Sequence, residues 1–334
     1  MKDINISKRW ILFMVLLDLL YIHAQCEKIN MFKYFTFVNN NDTINYHAYA
    51  KGEVSSKENI LLFIHGSSSK PFYSFFKEKG IQYRGSTMPF DLKEIPDDYA
   101  FFIVSKKYIP FCVDSKKEFK APEVYHKTMT LKHRAYQIDK VIKDILRNYI
   151  QKPKRIVVIG HSEGSDVVAK VGSINKEITH VGFWSGSGNS QWYDFPLFIR
   201  KDVLNGKLTE EEGLKQMDSL FVKYKEIIKN KASIHKKWYG HPYKRWYYFS
   251  EPPIENLLQI NVPLYVAMGA KDSSVPVEST YLIPVEFIRN EKENLTFKVY
   301  PNLDHSFNEK LPNGKKKRHW NTVFLDFMKW VKNN

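Results

Sequence analysis

Ser162 is the residue whose surroundings most clearly suit it for chemistry. It lies in Gly160-His161-Ser162-Glu163-Gly164, directly after the apolar run Ile156-Val157-Val158-Ile159 and before residues of helical spacing. A G-x-S-x-G sequence alone carries little weight, but between a buried strand and a helix it describes a sharp turn that lifts a serine hydroxyl above a sheet. Gly160 and Gly164 remove side chains that would collide in that turn, and the serine must take a strained backbone conformation. The hydroxyl then sits at the positive end of the following helix. Such a serine is a candidate nucleophile for acyl transfer.

A serine needs a base at neutral pH. Of eleven histidines, His305 has the best context. It follows a strand, Thr296–Tyr300, and the turn Pro301-Asn302-Leu303-Asp304, so its imidazole can reach over the sheet edge toward Ser162. His161 adjoins the serine and is expected to point elsewhere, while His65 reads as structural. The imidazolium requires a carboxylate to orient and stabilise it. Asp272, in Gly269-Ala270-Lys271-Asp272 past the strand Leu264–Met268, is the candidate; Asp304 is expected to brace its own loop instead. Acyl transfer also needs donors aimed at the developing oxyanion. The loop His65-Gly66-Ser67-Ser68-Ser69 follows the strand Ile60–Ile64, which makes the N–H groups of Ser67 and Glu163 the expected oxyanion hole. The side chain of Glu163 has two readings, contact with a substrate amine or a surface or packing role, and the second is favoured.

These residues must be positioned by a regular scaffold, and the chain supplies one. Tyr34–Val38 and Ile44–Ala50 flank Asn39-Asn40-Asn41-Asp42 and predict a hairpin. Short continuous apolar runs at 60–64 and 100–104 predict strands buried on both faces, 155–159 a third buried strand, and 181–184, 264–268 and 296–300 three further strands. Helical spacing over 131–150, after the serine, and over 324–331 separates several of them. Alternation of this kind predicts an α/β fold with a mostly parallel sheet covered on both sides. About 192–256 breaks the alternation. Its first part, Thr209–Lys229, is helical and charged; its second holds Trp238, Tyr239, Tyr243, Trp246, Tyr247, Tyr248 and Phe249. This is expected to be an insertion over the carboxyl edge of the sheet, a lid or cap, although the same aromatics would also serve as glue between helices and sheet.

Composition narrows the class further. With 334 residues, 43% hydrophobic and 26% charged, the chain can bury a large core, which excludes a disordered tail or a disulfide-stapled miniprotein. The net charge of +15 would suit a polyanion, but the lysines are scattered, and the longest basic run, Lys315 to Arg318, follows the turn residues Pro312, Asn313 and Gly314. No nucleic-acid partner is expected. Lys2, Lys8 and Arg9 precede an apolar stretch, Trp10 to Ile22, that is broken only by Asp18 and followed by His23-Ala24. Residues 1–24 therefore read as a secretory signal peptide, shorter than the roughly 20 apolar residues that span a bilayer. Export to the periplasm or the extracellular space is expected. Anchoring through an uncleaved segment or through Cys26 is the alternative, and it would be the chain's contact with a membrane. Cys26 and Cys112, the two cysteines, lack the flanking pattern of a nucleophile or metal site.

Taken together, His65-Gly66, the Gly160–Gly164 pentapeptide, Gly269-x-x-Asp272 with Val275-Pro276, and Asp304-His305 resemble the α/β-hydrolase superfamily. The chain order Ser162, Asp272, His305 is the order of that superfamily, and the resemblance runs from about residue 34 to the end, within a domain of 28–334. The serine pentapeptide and the acid loop are most similar to secreted bacterial hydrolases of the dienelactone-hydrolase, serine-aminopeptidase and prolyl-oligopeptidase-like group. The chain departs from those relatives in having no N-terminal propeller, and from the lipase branch in lacking an HGGG run. The resemblance implies a serine hydrolase without metal or organic cofactor, acting on a small-molecule or peptide acyl group. A carboxylic ester is the expected substrate, with a peptide, amide or thioester as alternatives. A binding module on the same scaffold would have no need of all four elements.

Overall fold

The structure is a computed structural model that describes Ile29 and residues 31–39, 42–115 and 118–334. The predicted signal peptide and Cys26 lie outside the described residues. The central sheet contains β1 (Lys33–Asn39), β2 (Asp42–Tyr49), β3 (Asn59–Ile64), β4 (Tyr99–Val104), β5 (Arg155–His161), β6 (His180–Trp184), β7 (Leu264–Gly269) and β8 (Leu295–Tyr300). Their spatial order is β1-β2-β4-β3-β5-β6-β7-β8. The first two strands form the antiparallel hairpin expected from the sequence, and β2 is antiparallel to β4. All later neighbours are parallel.

Five of the runs form central strands because both of their faces are covered, whereas 296–300 forms the edge strand β8, in which only Tyr300 is buried. Every residue of β3, β4 and β7 is buried. Alternate side chains feed two cores, as the two-residue period of a strand requires. Leu62, Val158 and Val266 meet α1 (Leu131–Asn148) and α2 (Glu163–Ile174) on one face. Leu61, Val157 and Ala267 meet Phe324 and Phe327 of the final helix (Trp320–Asn333) on the other. The start of α1 is fixed by Thr130, whose side chain accepts from the His133 N–H at 3.1 Å.

Between β6 and β7 the chain forms α3 (Gln191–Leu204), α4 (Glu210–Lys229), a two-residue hairpin pairing Lys237–Trp238 with His241–Pro242, α5 (Tyr243–Tyr248) and α6 (Pro253–Leu257). A capping box starts α4: Thr209 and Glu212 each accept the other's backbone N–H, at 3.2 and 2.8 Å. The aromatics of this segment are largely spent on one another. Ile227, Tyr243 and Trp246 are buried together, with Trp192, Phe195, Tyr224, Trp238 and Tyr247 against them. Trp192 stacks on Tyr224 at 4.6 Å, and the Trp192 and Trp246 indole N–H groups donate to the carbonyls of Trp246 and Trp238. Two features were not legible in the sequence. A small three-stranded sheet joins Tyr73–Glu78 to Ile81–Ser86 and Cys112–Ser115, and α7 (Val277–Arg289) runs through Pro284.

Candidate active site

The carboxyl ends of β3, β5, β7 and β8 supply the four segments singled out in the sequence, which is where open parallel sheets place their sites. Ser162 has φ 57° and ψ −129°, between β5 and α2. This left-handed conformation, with an order-of-magnitude cost of about 1–3 kcal/mol, is held by its surroundings. The Ser162 N–H donates to the Trp184 carbonyl at 3.0 Å, and its own carbonyl accepts from the N–H and hydroxyl of Ser165. The glycines on either side are required sterically. A Cβ on Gly160 would lie 2.0 Å from the Gly164 carbonyl oxygen, and one on Gly164 would lie 2.1 Å from that of Ile64.

His305 Nδ1 and Asp272 Oδ2 are 2.8 Å apart. The other carboxylate oxygen of Asp272 accepts the N–H groups of Ser274 and Val275, at 2.8 and 2.9 Å. Asp272 is buried and cannot swing, so the pair fixes the imidazole with Nδ1–H donating and Nε2 carrying the lone pair. Asp304 turns away, into its own loop. Its carboxylate accepts the N–H groups of Ser306 and Asn308 and pairs with Lys316. His161 also avoids the serine: its Nε2 meets the His305 carbonyl oxygen at 2.8 Å and its ring lies against Trp320. Burial, reinforced by His305, lowers its pKa to about 3 and keeps it neutral.

Gly66 brings the β3 loop against Ser162, close enough that a Cβ there would lie 3.0 Å from the Ser162 Cβ and 3.4 Å from its Oγ. Ser67, Ser162, Glu163 and His305 all line one cavity of about 890 Å³. The segment between β6 and β7 contributes Gln191, Asp194, Phe195, Phe198, Tyr239 and Arg245 to its wall.

One cluster has no signature in the sequence. The side chain of Glu163 is almost wholly enclosed, at 1% exposure, and three cations surround it. Arg134 Nη1 lies 3.0 Å from Oε1, and Arg245 Nε and Nη2 each lie 2.8 Å from Oε2. Lys106 Nζ stands 3.9 Å from Oε1. Burial pushes the Glu163 pKa up, but Arg245, Lys106 and Arg134 outweigh it and hold the carboxyl ionised, at about 2. The Glu163 side chain therefore belongs to a buried ion cluster and is not on the surface. Its four members come from positions 106, 134, 163 and 245, too far apart to form a motif. The one legible hint was an acidic residue in the first turn of a helix that has to be buried.

Residues 222–334 match the profile of the dienelactone hydrolase family. No curated protein matches the chain significantly. Among solved structures, an esterase from Pyrococcus furiosus is similar at 17% identity and TM-score 0.52, over 89% of this chain and 90% of that one. An acylaminoacyl peptidase from Pyrococcus horikoshii is similar at 13% identity and TM-score 0.53; it covers 92% of this chain, which spans only 43% of that longer protein. The ferulic acid complex of Est1E from Butyrivibrio proteoclasticus is similar at 13% identity and TM-score 0.51, over 90% and 100% of the two chains. The strand order and these likenesses define an α/β-hydrolase fold. The family match over residues 222–334 agrees with a hydrolase on this fold.

Proposed function

We propose that the chain is an exported serine hydrolase that cleaves carboxylic esters through an acyl-enzyme on Ser162. The observation that carries this reading is the 2.8 Å contact between His305 Nδ1 and Asp272 Oδ2 beside a serine in a strained turn of the same cavity. With Nδ1–H committed to Asp272, the His305 lone pair at Nε2 is the base that takes the Ser162 proton as Oγ attacks the substrate carbonyl carbon. Asp272 stays ionised and stabilises the imidazolium. The Ser67 and Glu163 N–H groups face the negative charge that develops on the carbonyl oxygen, and the N-terminus of α2 adds its dipole. Collapse of the tetrahedral intermediate expels the alcohol, to which His305 returns the proton. A water molecule then attacks the acyl carbon, gives a proton to His305, and releases the acid and free Ser162.

The segment between β6 and β7 is the cap in this reading, because it has its own aromatic core and walls the cavity. Export rests on the basic-then-apolar leader of residues 1–24. Among the described residues no helix is long and apolar enough to cross a membrane. The test is a panel of p-nitrophenyl esters and aminoacyl p-nitroanilides offered to the protein lacking its leader. Ester turnover well above anilide turnover is expected, and turnover of anilides alone would replace the esterase reading with a peptidase.

A further inference from the structure

The ion cluster around Glu163 touches the β3 loop at three points. Arg134 Nη2 donates to the His65 carbonyl at 2.9 Å, while its Nη1 is bound to Glu163. Lys106 Nζ donates to the carbonyls of Gly66 and Ser68, at 2.6 and 2.9 Å. Three of the four carbonyls from His65 to Ser68 are thus drawn toward buried cations on one side. Planar peptides hold C=O and N–H on opposite sides, so tying these carbonyls fixes the direction of the intervening N–H groups, including that of Ser67. The anion that gathers the two arginines is the side chain of Glu163, whose backbone N–H is the other expected donor. Arg245, on α5, ties the same carboxylate to the segment over the cavity.

We infer that Lys106 and Arg134, gathered by Glu163, are positioning residues that aim the oxyanion donors of the β3 loop at the substrate carbonyl oxygen. This deepens the serine-hydrolase reading and rests on it. None of these side chains has to touch substrate. Their effect is exerted through the Ser67 N–H and should appear where charge builds on oxygen, in acylation and deacylation, and not in substrate binding.

Lys106→Met tests this without stripping Glu163 of its hydrogen-bonded arginines. The side chain keeps nearly its length, and the cation removed is one that burial already disfavours. Ester kinetics, thermal melting and binding of two ligands are measured on the wild type, Lys106→Met and Arg134→Lys. The ligands are a phenylboronic acid, which becomes a tetrahedral anion on Ser162, and the product carboxylate, which does not. Loss of a whole oxyanion donor lowers kcat by about 100- to 1000-fold, so a donor misdirected but still present is expected to lower it by about 10- to 100-fold. KM and product affinity should stay within about twofold, and boronate affinity should fall in parallel with kcat/KM. Arg134→Lys keeps a cation beside Glu163 but replaces the fork, whose Nη1 and Nη2 hold Oε1 and the His65 carbonyl separately, with a single Nζ on a shorter reach, so it should lose kcat in the same manner while folded. Two folded variants with wild-type kcat and boronate affinity would overturn the positioning role alone. Equal losses of boronate and product affinity would reassign the cluster to general support of the pocket and overturn it as well. A wild type with no ester turnover and no boronate adduct on Ser162 would instead overturn the serine-hydrolase reading, and the inference with it.

Discussion

At the scale of single residues, the division of labour between near-identical neighbours is decided by local hydrogen bonds. Asp272 and Asp304 are both close to His305 in the chain or in space, yet Asp304 is saturated by backbone N–H groups and Lys316, and Asp272 alone has an oxygen left for Nδ1. Asp272→Asn should therefore lower kcat for esters by about 10⁴, because an amide NH₂ facing Nδ1 favours the wrong imidazole tautomer. Steady-state kinetics would check this, and Asp304→Asn should alter melting more than kcat. Ser162, Asp272 and His305 were legible because each lies just past a short β-rich run. Lys106, Arg134 and Arg245 were not legible. A buried cation has no local pattern, and its partner is found only after the fold brings it there.

At the scale of elements, the turn between β5 and α2 leaves no room for side chains at its two glycines. Gly164 lies against the end of β3, with no room for a methyl group before the Ile64 carbonyl. The obstacle is backbone belonging to a fully buried central strand, which cannot give way as the end of a side chain would. Gly164→Ala is expected to destabilise the protein by about 3 kcal/mol or more, read by chemical denaturation. The central strands were found because parallel strands buried on both faces appear as apolar runs. Tyr73–Glu78, Ile81–Ser86 and Cys112–Ser115 escaped notice because they form a separate small sheet whose residues mix polar and apolar types without a long run. Helix α7 was hidden by Pro276 at its N-cap and by Pro284 inside it, signals that on their own argue against a helix.

At the scale of the whole molecule, buried ionisable groups set the pH range of stability. Burial lowers His47 and His161 to about 3, and burial with Lys106 and Arg134 holds His65 well below its ordinary value. These imidazoles stay neutral in the folded protein and take up protons when it unfolds below pH 6.5, so stability is lost as pH falls from there. Burial moves two cavity carboxyls the other way, Asp166 to about 8 and Asp194 to about 7. Folded they keep a proton that the unfolded chain gives up above pH 4, so their contribution is lost as pH rises toward 8. The histidines outweigh the two carboxyls on the acid side, and above pH 6.5 the carboxyls are opposed by Lys106, which burial holds well below its ordinary value. Melting temperature should fall as pH drops below 6.5. Asp166→Asn keeps an acceptor for the Gln191 amide, and it should raise the melting temperature at pH 8.5 by several degrees while changing little at pH 4. The excess of lysine behind the +15 charge has no comparable role in the site, apart from the buried Lys106.

The central claim of the proposed function is that His305 activates Ser162. Labelling of the purified protein with a fluorophosphonate, beside its Ser162→Ala variant, reads that claim directly by intact mass and peptide mapping. The account predicts one adduct on the wild type, located on Ser162, and none on the variant. A well-folded wild type that takes no label, or a variant that keeps it, would contradict the account.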